Sequence, residues 1–260
     1  MMPLYDFSLF LFWSIMLAVA GYFLVRSLVK IAAFLRVTEF VVGFIIMAVS
    51  TSLPELFVGI NAALANNSAL SLGNVIGSNI ADVTLVAGIM ILVAKKVKVK
   101  NIYIKRDAIA MILIAILPFI LMVFGNELSR VDGTILMGTF FTYGYYILRE
   151  RKKFHDGSDN GVSKQQIVFF SLLFMFCVWL LFRSSEQVVF YATQLSISLV
   201  LPPIFIGLFL VALGTSLPEL VFEVTAAKTG YADAALGDII GSVVANSALV
   251  LGVTAIISPI

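Results

Sequence analysis

The sequence has one cysteine and one histidine in 260 residues, and only 12% of its residues are charged. A lone Cys177 excludes an internal disulfide, and its apolar surroundings predict a packing role. The single histidine, His155, lies in a polar stretch, so thiolate and imidazole metal sites are excluded from the apolar segments. No nucleophile–base arrangement is present either. We therefore expect a protein that is not an enzyme and has no cofactor.

Long apolar runs dominate the chain. Hydrophobic residues make up 61% of it and the mean hydropathy is +1.06, far outside the range of soluble domains. Because a helix needs about 20 apolar residues to cross a bilayer, we predict an all-α polytopic membrane protein with about eight spans. Their predicted bounds are 8–28, 39–64, 72–94, 108–125, 131–148, 166–188, 199–227 and 234–257. The first span lacks the features of a cleaved signal peptide, so we expect it to be retained.

The basic residues predict the orientation. With these spans, 15 of the 17 lysines and arginines fall on one side, while Arg130 lies on the other. Arg183 lies within a span, three residues from Glu186, which predicts an ion pair. The positive-inside rule places the N-terminus outside the cell membrane. Each basic group flanks a span, so the expected partner is membrane lipid and not nucleic acid. The oligomeric state stays open, and a monomer is compatible with the sequence.

One segment of 46 residues occurs twice. Residues 43–88 and 207–252 align without a gap at an offset of 164, with 19 identical pairs. Six identities are consecutive, reading Thr-Ser-Leu-Pro-Glu-Leu at 51–56 and at 215–220. Each copy places a carboxylate, a proline and two hydroxyls within an apolar span. Ionisable groups at matching points of a duplicated membrane core are typical of a transport site.

The duplication predicts two halves of opposite topology. Five predicted spans separate the start of one copy from the start of the next, and an odd number makes the copies cross the membrane in opposite directions. We predict a first inverted repeat at 1–149, a short cytoplasmic linker at 150–165 and a second, incomplete repeat at 166–260. Inverted repeats bring equivalent segments together near the midplane and permit two mirrored conformations, the basis of alternating access.

The shared motif supplies hard oxygen ligands. Thr51 and Glu55 are four residues apart and share a helix face. Pro54 and Pro218 lack an N–H, so they free backbone carbonyls and predict broken helices at the midplane. Glu55 and Glu219 would repel each other in a low dielectric unless a cation or protons lay between them. Carboxylate, hydroxyl and carbonyl oxygens suit Na⁺ or Ca²⁺, and not Zn²⁺ or Cu⁺.

The second part of each copy adds oxygen atoms and small residues. Ser78 and Asp82 are four residues apart, as are Ser242 and Asn246, so each pair faces one way. Glycines spaced four apart predict a close approach of helices. These glycines are Gly73, Gly77, Gly237 and Gly241.

Three other polar residues receive structural interpretations. Asn74 and Asp238 lie where the third and eighth spans are predicted to begin, which favours a helix-start role over ion binding. Glu223 has Gly59 as its counterpart in the first copy. This broken symmetry predicts that Glu223 lies at a cytoplasmic mouth or contacts Lys228.

The duplicated Thr-Ser-Leu-Pro-Glu, each followed by Gly-(Asn/Asp)-(Val/Ile)-Ile-Gly-Ser, resembles the two alpha-repeats of the sodium/calcium exchanger family in the calcium/cation antiporter superfamily. The resemblance extends over nearly the whole chain and implies an antiporter that uses sodium influx to expel calcium. It implies that Ca²⁺ is held by Glu55, Glu219, Thr51 and Thr215. It implies that sodium sites involve Ser52, Ser78, Ser216, Ser242 and the carbonyls of Ala48 and Ala212, with Asp82 and Asn246 at the middle.

Two features depart from the family pattern. In prokaryotic members the asparagine lies in the first repeat and the aspartate in the second, whereas Asp82 and Asn246 reverse that order. The total charge is unchanged, and the two-fold pseudo-symmetry makes the exchange tolerable. The sequence also stops where the first half still has two spans to come. We therefore expect it to lack the last two helices of the family's ten-helix plan.

The residues leave three modes of transport open. Antiport of Ca²⁺ against Na⁺ is the one that the serines and the Asp82/Asn246 pair favour. Exchange of Ca²⁺ for protons is the alternative, because carboxylates alone are able to carry protons. A passive cation channel would conduct without a coupled counter-ion, and inverted repeats around a midplane site weigh against it.

Overall fold

A computed structural model describes residues 2–34, 47–94, 102–151, 164–228 and 232–260. All regular elements in these ranges are helices. The helices of the first half are α1 (Met2–Phe34), α2 (Met47–Thr51), α3 (Leu53–Leu64), α4 (Ser68–Ala81), π1 (Asp82–Val86), α5 (Ala87–Ala94), α6 (Ile102–Gly125) and α7 (Arg130–Arg151). Those of the second half are α8 (Lys164–Leu199), α9 (Pro203–Ile206), π2 (Gly207–Val211), α10 (Ala212–Thr215), α11 (Leu217–Lys228), α12 (Ala232–Val244), π3 (Ala245–Val250) and α13 (Leu251–Ile257).

The outer surface of the helices is apolar. Leu92, Phe124 and Met175, for example, are 78%, 85% and 68% exposed. Large apolar side chains on the outside and satisfied helical backbones are what a bilayer requires. The predicted all-α membrane fold is therefore confirmed.

Fewer of the described helices qualify as membrane spans than the sequence predicts. By length and composition, five helical segments of the described chain qualify, and the bent pair Pro203–Thr215 and Leu217–Lys228 makes a sixth if it counts as one span. The helix α7 contains tyrosine, threonine and glycine and is therefore less apolar than these five segments. The predicted span 39–64 falls partly on residues 35–46, outside the described ranges, as does most of the predicted linker 150–165. A count of eight stays a prediction.

One predicted boundary is wrong. The span predicted at 166–188 continues as α8 for 36 residues, to Leu199, and packs along α1. Two of its polar side chains make hydrogen bonds within the bundle. Asn61 donates to the hydroxyl of Ser185 at 2.7 Å, and the Thr193 hydroxyl donates to the carbonyl of Val189. The predicted pair of Arg183 and Glu186 forms on the same helix.

Both copies of the motif break a helix one residue after the shared threonine. Ser52 separates α2 from α3 with φ −80° and ψ 5°, and Ser216 separates α10 from α11 with φ −80° and ψ 6°. In the second copy the break bends the helix pair by 41°. The cause is Pro54 or Pro218 two residues later, since a proline ring cannot follow an undistorted helical turn. The predicted broken helices are confirmed.

Glycine brings the backbones of the two halves into contact. A Cβ on Gly73 would lie 2.1 Å from the carbonyl oxygen of Ile204, and a Cβ on Gly77 would lie 2.2 Å from that of Leu208. No side chain fits at either position, so the predicted packing role of these two glycines is confirmed. The residues equivalent to these partners in the first copy are 40 and 44, which lie outside the described ranges.

Two π-helical turns occupy equivalent places in the repeats. The first, π1, begins at Asp82, and π3 begins one residue before Asn246. At the offset of 164, π3 corresponds to residues 81–86, so the two turns nearly coincide. A π-turn inserts an extra residue into a helical turn and is frequent at functional sites. The hydrophobic pattern did not predict either turn.

Candidate ion-binding site

Two reciprocal hydroxyl contacts join the repeats. Thr51 Oγ1 lies 3.2 Å from Ser242 Oγ, and Thr215 Oγ1 lies 3.2 Å from Ser78 Oγ. The offset of 164 converts one contact into the other. Reciprocal contacts of this kind are what a two-fold axis produces. The helices that carry these residues pack in the same two combinations, α2 against α12 and α4 against α10.

Glu55 and Glu219 lie at this axis. Both are fully buried, and their carboxylates are close enough to repel each other. The Ser78 hydroxyl donates to Glu55 Oε1 at 3.3 Å, and the Thr215 hydroxyl faces the same carboxylate. Glu55 Oε2 and both carboxylate oxygens of Glu219 have no hydrogen-bond partner. Both glutamates, one from each half, are therefore buried with carboxylate oxygens that lack a partner, and their joint role in ion binding stays a prediction.

Asp82 and Asn246 lie on the π-turns π1 and π3. Both are fully buried, and none of their side-chain polar atoms has a hydrogen-bond partner. The Asp82 carboxylate interacts electrostatically with Glu55 and Glu219. A buried polar group without a partner is costly, so these unsatisfied atoms mark a place suited to a cation.

The serines at the two helix breaks point into the same region. Ser52 and Ser216 are 1% and 4% exposed, and neither hydroxyl has a hydrogen-bond partner. Ser216 faces the carboxylate of Asp82. The break in the second copy thus presents a hydroxyl to an acid of the first half.

Of the two alanine carbonyls predicted as ligands, that of Ala212 already accepts hydrogen bonds. Ala48 lies in α2, and Ala212 begins α10. The Ala212 carbonyl accepts the Ser216 N–H at 3.0 Å and the Thr215 hydroxyl at 3.2 Å. The Thr215 hydroxyl also lies 3.1 Å from Asn74 Oδ1, so it has another acceptor if a cation takes the carbonyl. The ligand role of both carbonyls stays a prediction.

The helix-start interpretation of Asn74 and Asp238 is wrong. The helices begin at Ser68 and Ala232, so both residues lie six positions inside them. Both are fully buried. Asn74 accepts the Thr215 hydroxyl, and the equivalent Thr51 hydroxyl faces Asp238. Their spacing of four from Ser78 and Ser242 was the signal for a shared face.

The interpretation of Glu223 as a residue of a cytoplasmic mouth or a partner of Lys228 is also wrong. Glu223 is fully buried and neither carboxylate oxygen has a hydrogen-bond partner, whereas Lys228 is exposed. Its carboxylate interacts with those of Asp238 and Asp82. The spacing of four from Glu219 places both glutamates on one face of α11.

The charged side chains buried in the described core are all acidic. Six acids are buried in the described chain, and no lysine, arginine or histidine is buried there. Of these acids, Asp107 pairs with Arg106 at 2.9 Å. The other five, Glu55, Asp82, Glu219, Glu223 and Asp238, have no basic partner within the described ranges. No three of them converge into a carboxylate cage in those ranges, so a cation here requires hydroxyl, amide and carbonyl oxygens as well.

Known proteins are similar in sequence to most of this chain. The family model described as sodium/calcium exchanger protein matches residues 5–149 and 168–260. The sodium/calcium exchanger MaX1 of Methanosarcina acetivorans is 30% identical over 98% of this chain and 84% of its own length. The putative antiporter CaxA of Alkalimonas amylolytica is 31% identical over 88% of this chain and 74% of its own length.

Solved structures agree with the fold. The sodium-calcium exchanger NCX_Mj, soaked with 100 mM Na⁺ and 10 mM Sr²⁺, superposes with a TM-score of 0.65 at 27% identity, covering 98% of this chain and 83% of that chain. The H⁺/Ca²⁺ exchanger CAX superposes with a TM-score of 0.80 over 97% of this chain and 67% of that chain. Its identity is 18%, so this second likeness concerns the fold alone.

Proposed function

Starting from the fact that this chain belongs to the sodium/calcium exchanger protein family, we propose that it exchanges Na⁺ for Ca²⁺ across the cell membrane as a secondary antiporter. The observation that carries the proposal is the burial of Glu55 and Glu219 together, with three carboxylate oxygens lacking hydrogen-bond partners. Two acids at a pseudo-two-fold axis suit a divalent cation, and each repeat supplies one of them.

Calcium is bound between the two glutamates. Glu55 and Glu219 supply the negative charge, and the hydroxyls of Thr51 and Thr215 complete the oxygen shell from the two sides. Support comes from the Thr215 hydroxyl, which faces Glu55, and from the reciprocal positions of the two threonines. A bare pair of carboxylates in this dry core would repel strongly, and Ca²⁺ between them removes the repulsion.

Sodium is bound by the polar groups around this pair. The ligands are the hydroxyls of Ser52, Ser78, Ser216 and Ser242, the carbonyls of Ala48 and Ala212, and the side chains of Asp82 and Asn246. Ser78 also donates to Glu55, so sodium and calcium share part of the same oxygen set. Ions that compete for shared ligands cannot bind fully at the same time, and such competition is what antiport requires.

The two repeats supply the conformational change. We assign the first to 1–149 and the second to 166–260, joined by a cytoplasmic linker, with the N-terminus outside. An exchange of conformations between inverted repeats opens the site to the opposite side. The equivalence of the two repeats is supported by the breaks at Ser52 and Ser216, which have the same backbone angles.

Exchange of Ca²⁺ for protons is the second candidate. The observation that favours it is the set of five buried acids without a basic partner in the described chain, since carboxylates in a dry core bind protons as well as cations. The hydroxyls and the amide of Asn246 favour Na⁺ instead, because they add neutral oxygen ligands that proton transfer does not need.

The test is ⁴⁵Ca²⁺ uptake into proteoliposomes under separately imposed sodium and proton gradients. We expect an outward sodium gradient to drive uptake, and Glu55→Gln and Glu219→Gln to abolish it. Glu127→Gln, at an exposed loop position, is the matched control and should transport normally. Uptake driven by a proton gradient in the absence of sodium would establish the second candidate. Normal uptake in either glutamate variant would refute the site.

A further inference from the structure

Glu223 breaks the symmetry between the repeats for a steric reason. Its counterpart, Gly59, is packed so tightly that a Cβ there would lie 2.7 Å from Thr254 Oγ1. The residue equivalent to Thr254 in the first copy is Met90, a buried apolar side chain. The first repeat therefore has no space for an acid at this position, while the second repeat buries one.

Glu223 lies on a helix that packs against two elements of the candidate ion site. Its helix, α11, packs against α12 and against π1, which carry Asp238 and Asp82. The Glu223 carboxylate interacts electrostatically with both of these acids. Asp238 breaks the symmetry in the same half, since its counterpart is the neutral Asn74. Both additional charges thus belong to the second repeat.

Neither additional acid is satisfied by the protein. Glu223 and Asp238 are fully buried, and none of their four carboxylate oxygens has a hydrogen-bond partner. The Thr51 hydroxyl faces Asp238 but lies outside hydrogen-bonding geometry. No basic side chain is buried anywhere in the described ranges. Two unpaired buried carboxylates must either bind protons or be compensated by a cation.

We propose that Glu223 and Asp238 bind one hard monovalent cation, Na⁺ during transport, at a site that adjoins the calcium site and has no equivalent in the first repeat. The proposal rests on the proposed function and adds one coupled ion to it. A monovalent ion fits better than a divalent one, because no group of three acids close enough to hold a metal is present in the described chain. The negative charge of the neighbouring Asp82 carboxylate also attracts a cation to this position.

The experiment counts bound sodium. Purified protein in detergent, without Ca²⁺, is equilibrated with saturating ²²Na⁺, and the bound sodium per protein is measured. Glu223→Gln and Asp238→Asn should each bind one Na⁺ fewer than the unmodified protein, and the double variant should lose no more than one. Glu127→Gln should bind the full number. Asp238→Asn reproduces the residue already present at position 74, so it is compatible with a buried helix of this fold.

Each outcome decides one question. Unchanged sodium counts in both folded variants, checked by thermal unfolding, overturn the additional site. A loss of bound ⁴⁵Ca²⁺ instead of ²²Na⁺ in Glu223→Gln overturns its assignment to a monovalent ion. The proposed function fails separately, if the unmodified protein shows no sodium-driven calcium flux or if Glu55→Gln leaves that flux intact.

Discussion

The hydroxyl oxygens of Thr51 and Ser242 lie 3.2 Å apart across the boundary between the repeats. The same distance separates Thr215 from Ser78. The threonine of each copy thus contacts the serine of the other copy. The calcium site that we propose is therefore built from two copies of one short sequence, and equivalent substitutions should have equivalent effects.

The first prediction concerns these threonines. Thr51→Val and Thr215→Val keep the side-chain shape but remove the hydroxyl ligand. We expect each to weaken calcium binding by roughly tenfold or more, because a bond to a charged group contributes about 1.5–3 kcal/mol. The calcium dependence of ⁴⁵Ca²⁺ uptake measures the effect. Thr139→Val, which alters an exposed hydroxyl bonded within its own helix, should change nothing. A large effect in one threonine and none in the other would contradict the two-fold site.

A second prediction tests the exchanged order of acid and amide at the middle of the site. Asp82→Asn removes one charge, so sodium-driven calcium uptake should fall strongly. The double variant Asp82→Asn with Asn246→Asp restores the charge at the equivalent position on π3. We expect it to recover most of the uptake, because both residues are fully buried beside the same acids. A double variant as inactive as the single one would mean that position, and not only charge, determines function.

A third prediction concerns stability. Gly77→Ala places a Cβ 2.2 Å from the carbonyl oxygen of Leu208, whereas Gly88→Ala meets no atom within 4 Å. We expect Gly77→Ala to lower the melting temperature, since overpacking typically costs about 1–3 kcal/mol. Gly88→Ala should leave it unchanged or raise it slightly, because alanine favours helices by about 1 kcal/mol over glycine. Thermal unfolding in detergent compares the two. Equal melting temperatures would show that the contact between α4 and π2 is loose.

The fourth prediction concerns orientation. Cys177 is the only cysteine and is buried, so a Cys177→Ser background allows single cysteines to be placed at exposed Glu127 and Lys228. A membrane-impermeant maleimide applied to intact cells should label Glu127→Cys and should reach Lys228→Cys only after permeabilisation. The reverse pattern would place the N-terminus in the cytoplasm.

The parts of the site that the sequence predicted are those that follow from covalent structure. Pro54 and Pro218 each leave a backbone carbonyl without its helical donor, because neither has an N–H to donate. Glu55 and Glu219 were identifiable because they occur at equivalent positions in the two copies. Repetition and proline chemistry need no knowledge of packing.

The parts that it missed depend on neighbours from elsewhere in the chain. Asn74 and Asp238 looked like helix starts because an apolar pattern does not mark where a membrane helix begins. Ser68 begins α4, and its Ncap residue Asn67 makes no side-chain capping bond. Glu223 looked peripheral because its burial depends on α12 and π1, which follow and precede it by many residues. The π-turns leave no distinct periodicity in so short a stretch.

The excess of buried acids over bases has a consequence for the efficiency of the carrier. With no ions loaded, the described core would have to take several uncompensated negative charges through its conformational change, and desolvated charge without a counter-charge is costly. We therefore expect reorientation without bound ions to be slow compared with reorientation of the loaded carrier. The carboxylates that we propose as ion ligands should thus also limit uncoupled transport, so that little of the ion gradient is lost without exchange.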